Sequence, residues 1–237
     1  MEYWSSHGII LARRVLGEKD ALVFMLTEDR GICTGILKNF RAKKNQAIQV
    51  GNYVACHWKA RLSEHLGMWS LEVLKSFFAE VILDAAKLRA CTLVLEMVRN
   101  FLPEQHPYPF LYKKTLTFLE ALSVDTNWAH LYVLFELHLL QEVGFGLKLK
   151  SCAVTDSREM LSYVSPKTGC AVSQEVGAPY AEKLFPLPSF FLDGCVEQKK
   201  EELIKGLNIT GYFLEKIFSD PKYALLFESR RRFLKHL

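Results

Sequence analysis

The feature that most constrains this chain is a change of residue period near position 80. Before it, dense β-branched and aromatic residues fall in five short runs, Gly8 to Leu16, Ala21 to Thr27, Gly31 to Asn39, Asn52 to Arg61 and Met68 to Phe77. Gly17-Glu18-Lys19-Asp20, Glu28-Asp29-Arg30-Gly31, the polar stretch Arg41 to Gly51, and Ser63 to Gly67 separate them. Runs of this kind between turn residues predict strands. After Glu80 the apolar residues Ile82, Ala85, Ala86, Leu88, Leu93, Met97 and Leu102 recur mostly every three or four positions, the spacing of one helix face, until Pro103, Pro107 and Pro109 end the run.

The class is therefore α+β, with a strand-built domain over residues 1–79 and a helical domain over 80–237. Five strands of this length suit a closed OB-type barrel. The eleven residues from Arg41 to Gly51 leave little room for the helix that many such barrels insert between strands three and four. Further helices are expected at Leu111 to Leu122, Trp128 to Val143 (stopped by Gly144 and Gly146), Gln198 to Gly206, Thr210 to Phe218 and Lys222 to Leu234. Residues 150–178 read as an irregular insertion, with a hairpin turn at Ser165-Pro166-Lys167-Thr168-Gly169.

Charge points to function by its distribution. The totals nearly cancel, 30 Lys plus Arg against 26 Asp plus Glu, yet Lys38, Arg41, Lys43, Lys44, Lys59 and Arg61 lie in one stretch without an acidic residue. Phosphates need cations along a groove, and unpaired bases need flat rings on which to stack. In the fourth strand Tyr53, Ala55, His57, Lys59 and Arg61 share one face, and Val54, Cys56 and Trp58 the other. Trp58 and Trp69 read either as stacking platforms or as core. Arg13 and Arg14 are neighbours on a strand, so only one can serve a given face, and Arg14 is the one taken. Arg230-Arg231-Arg232 fall in a last helical turn, where cations complement the helix dipole.

Catalytic signatures are lacking. There is no GxxxxGK[ST] loop and no HExxH, and Gly144-Phe145-Gly146 is too short for a dinucleotide fingerprint. Cys56 and His57 face apart, poor geometry for a nucleophile pair. Cys152 and Cys170 are each followed three positions later by a hydroxyl residue, Thr155 and Ser173. A structural zinc needs four competent ligands, so no metal or other cofactor is expected. Six scattered cysteines without a CxxC pair, no export signal and no apolar run near the roughly 20 residues of a bilayer span fit a reducing cytoplasm.

The order of features resembles the bacterial RecO recombination mediators. The resemblance is carried by Gly8-Ile9-Ile10-Leu11, the Gly17 to Asp20 turn, Leu26-Thr27-Glu28 with Gly31, Gly51-Asn52 leading to Trp58-Lys59-Ala60-Arg61, and the string Arg61 to Gly67. Glu142-Val143-Gly144-Phe145-Gly146, Leu149, Cys152-Ala153 and Tyr163 to Gly169 extend it. It implies an N-terminal OB barrel and a helical domain that in some members carries a four-cysteine zinc module. Here Thr155 and Ser173 stand where the second cysteine of each knuckle would be, which makes the segment a degenerate zinc finger. The resemblance further implies binding of single- and double-stranded DNA, ATP-independent annealing, complex formation with RecR, docking of the acidic tail of single-stranded DNA-binding protein, and help in loading RecA. Phe227, Phe233 and Arg230 to Arg232 offer one source of an apolar, cation-rimmed groove for that tail. The competing readings are an OB-fold RNA-binding factor, which would discriminate by the 2′-hydroxyl, and a hydrolase with a scattered site.

Overall fold

The computed structural model describes residues 2–62, 65–124, 127–193, 199–235 and 237. Ser63 and Glu64 of the expected fourth turn, and Gln198 at the head of an expected helix, lie outside the described residues. Five strands come first: β1 (Glu2–Leu16), β2 (Asp20–Thr27), β3 (Gly31–Leu37), β4 (Asn52–Ala60) and β5 (Gly67–Ser76). They close on themselves in the order β1-β2-β3-β5-β4. All neighbours are antiparallel except β3 and β5, which run parallel over Gly35–Leu37 and Gly67–Trp69.

β1 is the longest strand because it serves two neighbours. Its first half pairs with β4 from Glu2 to Ile9 and its second half with β2 from Gly8 to Leu16, with a bulge between Ile10 and Ala12. A bulge adds twist, which is what turning a strand round a barrel corner requires. It begins six residues before the expected start. Glu2 to His7 alternate half-buried and exposed, so too few apolar residues marked this segment as strand.

Ile10, Val23, Met25, Leu37, Val54, Cys56, Trp58 and Trp69 fill the barrel, and Ile48 plugs it from the loop before β4. The Trp69 indole donates to the Val23 carbonyl at 3.2 Å. That loop holds only a single 3-10 turn, Lys43–Asn45, as its short length predicted.

Helices follow: α1 (Phe77–Val81), α2 (Ala85–Phe101), α3 (Pro109–Val124) and α4 (Trp128–Glu142). The Asp84 carboxylate caps α2 by accepting from the backbone of Ala86 and Lys87 at 3.0 and 3.1 Å. Next come β6 (Leu161–Val164) and β7 (Ala171–Ser173), the hairpin foreseen around Ser165 to Gly169, with the two-residue β8 (Phe185–Pro186) on its other edge. α5 (Gln174–Gly177), α6 (Phe190–Asp193), α7 (Lys200–Ile217) and α8 (Ala224–Leu234) complete the chain.

Two helices were expected between Gln198 and Phe218, and one is found. Gly206 does not break α7, because a Cβ there would come within 2.8 Å of Val133 and 2.9 Å of Phe190. The glycine permits close packing on α4, which outweighs its poor helix propensity of about 1 kcal/mol.

The chain divides into two compact units, residues 1–125 with 228–237, and residues 126–227. No helix among the described residues is long and apolar enough to cross a membrane.

Candidate nucleic-acid interface

Register assembles a surface on the first unit that spacing along the chain conceals. Residues directly opposed across a ladder share a face. Arg14 opposes Leu22, Leu22 opposes Ile36, Ile36 opposes Met68, Met68 opposes Lys59, and Lys59 opposes Tyr3. These six residues form one row across the outside of all five strands. Arg14 and Lys59 are exposed, and Leu22 and Ile36 are half-buried. Met68 is 46% and Tyr3 62% exposed, large apolar groups left in water.

Flat rings lie beside the row. Tyr3 stacks on His57 with planes 9° apart, Ser5 is 2.7 Å from His57 Nδ1, and His7 stacks on Tyr53. The outward face expected for β4, Tyr53, Ala55, His57 and Lys59, is therefore the face found, and Arg61 is exposed just beyond it. Trp58 and Trp69 are core residues, 7% and 5% exposed, so neither can stack on a base. Cys56 is fully buried and its thiol is pushed up to about 12 by burial, which leaves it inert.

The remaining predicted cations occupy different settings. The Lys38 ammonium is 2.7 Å from the Asp20 carboxylate and holds that carboxyl below its usual range. Its charge is thus already half engaged. Arg41 and Lys43 are exposed on the loop before β4, and the Lys44 side chain lies outside the described residues. Arg41 sits 5.5 Å from the Phe40 ring centroid, and Arg13 lies 5.4 Å from the same ring while donating to the Ile48 carbonyl at 2.8 Å.

So both arginines of β1 border the candidate surface. Arg14 joins the row, and Arg13 joins the loop. Arg99 of α2 was not foreseen. It lies 4.5 Å over Phe24, the ring that Arg14 also covers at 5.6 Å. Burial first, and then the Arg14 charge, push its guanidinium below the usual arginine value. Only the fold, by packing α2 on β1 and β2, brings Arg99 there.

On the second unit, Cys152 is buried and accepts from the Ser173 backbone N–H at 3.4 Å, while Cys170 points its thiol at the Thr168 carbonyl, 3.7 Å away. Burial opposes ionisation of Cys152, but hydrogen bonds from Thr155 and Ser173 outweigh it and lower the thiol to about 6. Two thiols with two hydroxyls do not make the four-ligand set of a structural zinc. Among the described residues no group of three or more His, Cys, Asp or Glu could hold a metal ion.

The tail groove expected from the last helix is not available. Phe227, Arg230 and Phe233 are 4%, 2% and 0% exposed, packed inward, and Arg232 pairs with Glu228. A groove of about 880 Å³ lies elsewhere in the second unit, lined by Leu137, Leu149, Leu161 and Phe191 and bordered by Lys150 and Arg158.

These features define a class: a small closed barrel with a cationic, ring-bearing outer face, followed by a helical unit. Comparison with known proteins names it. Residues 1–77 match the family described as Recombination protein O N terminal, and residues 82–221 match Recombination protein O C terminal. The DNA repair protein RecO of Rhizobium rhizogenes is 36% identical, covering 98% of this chain and 90% of its own length. Those of Rhodospirillum centenum and Bartonella quintana are 37% and 38% identical, covering 98% and 92% of this chain and 93% and 90% of their own. The chain belongs to the RecO family.

Proposed function

We propose that this chain is a DNA repair protein that acts as a recombination mediator, annealing complementary single strands without ATP and without catalysing any covalent step. The observation that carries the reading is the outer row from Arg14 to Tyr3, in which two exposed cations, Arg14 and Lys59, flank three apolar side chains and the Tyr3 ring stands next to Lys59. The strand order and the parallel β3–β5 seam support an OB-type barrel, with residues 1–79 as the nucleic-acid-binding domain and 80–237 as a helical domain carrying a metal-free zinc-finger-like insertion. Arg14, Lys59 and Arg61 hold one strand by its phosphates, with Arg41, Lys43 and Lys44 of the loop and the partly engaged Lys38 extending the contact.

Annealing then needs no fuel. Cations neutralise the repulsion between two phosphate backbones, and stacking supplies about 1.4 kcal/mol per base-pair step. Family membership supports action with RecR in loading RecA on DNA coated by single-stranded DNA-binding protein, in the cytoplasm. The acidic tail of that coating protein fits the groove beside Lys150 and Arg158, where apolar walls and cations meet.

The test is the pairing rate of two complementary oligonucleotides, bare or precoated with single-stranded DNA-binding protein, without nucleotide. Acceleration that R14A/K59A abolishes supports the reading. No acceleration by folded protein overturns it, and a preference for RNA of equal sequence replaces DNA with RNA as the ligand.

A further inference from the structure

Gly144-Phe145-Gly146 follows α4, and Ser165 to Gly169 join β6 to β7. In the second unit they meet. Phe145, Lys167, Gly169, Phe213 and Lys216 line one cavity of about 510 Å³. Gly169 has φ of +71°, a left-handed backbone that glycine adopts without strain, and a Cβ there would press on Leu147 at 3.1 Å. Phe145 is 56% exposed, a large ring left in water at the cavity edge.

The cations around it are free to bind. Lys216 donates to the Pro166 carbonyl at 3.1 Å and lies 5.6 and 5.9 Å over the Tyr212 and Phe213 rings, which fixes its amine at the rim with two donors unused. Lys148 and Lys167 are exposed. Among the described residues no carboxylate pairs with Lys148, Lys167 or Lys216. An open ring flanked by unpaired amines suits a base with its phosphates.

Annealing also demands something the barrel row alone does not supply, a hold on the second strand. We propose that Lys167, Lys216 and Phe145 form a second single-strand binding site on the 126–227 unit, one that takes the complementary strand. The proposal rests on the annealing reading. The lysines meet phosphates, and Phe145 stacks on one base without reading its sequence.

The test uses full-length protein with dT12, titrated by fluorescence anisotropy for stoichiometry and salt dependence, beside the annealing rate of complementary strands. Wild-type protein binds two strands, and K167A/K216A binds one. The lost strand takes with it a salt slope of about 1.4, two single-strand phosphate contacts at about 0.7 each. F145A, which leaves both lysines in place, weakens the second strand about fivefold or more. Both variants slow annealing.

Wild type that binds no strand sinks the annealing reading itself. Wild type that binds and anneals, with K167A/K216A and F145A indistinguishable from it, overturns only the second site. Loss of a labelled acidic peptide in K167A/K216A, with strand stoichiometry kept at two, gives the patch to a protein tail and likewise overturns the proposal.

Discussion

The row across the barrel makes a prediction in which oligonucleotide length acts as a ruler. Arg14 and Lys59 are separated by four inter-strand steps, β1 to β2 to β3 to β5 to β4. At about 4.8 Å each, the path over the surface is about 19 Å. Phosphates recur about every 3.4 Å along one strand of a duplex and farther apart in unstacked thymidines, so dT12 spans the row with ease, whereas dT2, with its single phosphate, cannot reach both cations. On dT12, R14A and K59A are each expected to lower the salt slope by about 0.7, and the double variant by about 1.4. On dT2 only one of the two cations is in contact at a time. Each single variant then changes little, because the short strand moves to the remaining cation, and the double variant loses about 0.7. Anisotropy titrations from 50 to 200 mM salt read these slopes directly. Equal additivity at both lengths would mean that the two residues do not share one strand, and an unchanged slope on dT12 would remove the row from the interface altogether.

Three other perturbations test the structure around it. Gly31→Ala places a Cβ 1.7 Å from the His106 carbonyl oxygen at φ of +69°, whereas Gly17→Ala, at φ of +63°, meets nothing within 4 Å. Left-handed backbone costs each variant about 1–2 kcal/mol, and relief of the clash in Gly31→Ala also breaks the hydrogen bond that the Gln105 N–H donates to the Ile32 carbonyl at 2.9 Å, so urea unfolding followed by tryptophan fluorescence gives about 2–3 against 1–2 kcal/mol; equal losses refute the clash. Asp20→Asn releases Lys38 and removes a negative charge, so affinity for dT12 rises, and a fall shows instead that the pair orders the loop. The lowered Cys152 thiol stabilises the folded second unit fully above its unfolded value of 9.0, and that contribution is lost as pH falls towards about 6. Thermal unfolding should therefore show the wild type gaining on Cys152→Ser between pH 6 and 9, and parallel curves would contradict an ionised Cys152.

What could be read from the residues follows from how local each signal is. β2 to β5 and the long helices were legible because their apolar periods match one buried face. The start of β1 was not, since Tyr3, Ser5 and His7 face outward and leave too few apolar residues to mark a strand. Gly206 reads as a stop between two helices, because its contacts with Val133 and Phe190, across which α7 runs unbroken, are invisible in the sequence. The same limit governs the site. Lys59 and the outward face of β4 come from simple alternation, but Leu22, Ile36 and Met68 join them only through register between strands. Arg99 arrives through a helix packed on the sheet. Lys38 looked like a free cation until Asp20, eighteen residues earlier, proved to be its partner.

The parallel seam carries a consequence for how the barrel forms. β3 and β5 meet over just three residue pairs, and both members of the first, Gly35 and Gly67, abut a tryptophan ring. A Cβ on Gly35 would stand 2.7 Å from the Trp69 indole nitrogen, and one on Gly67 would stand 2.1 Å from the Trp58 ring. β1–β2, β2–β3 and β4–β5 pair strands that follow one another in the chain, whereas β3–β5 joins residues 32 apart and β1–β4 residues 44 to 58 apart; both of these bear loop-closure entropy, and β3–β5 offsets it with the fewest pairs. The β3–β5 seam is thus the most thinly paired closure of the sheet, and two missing side chains leave it just wide enough to shut.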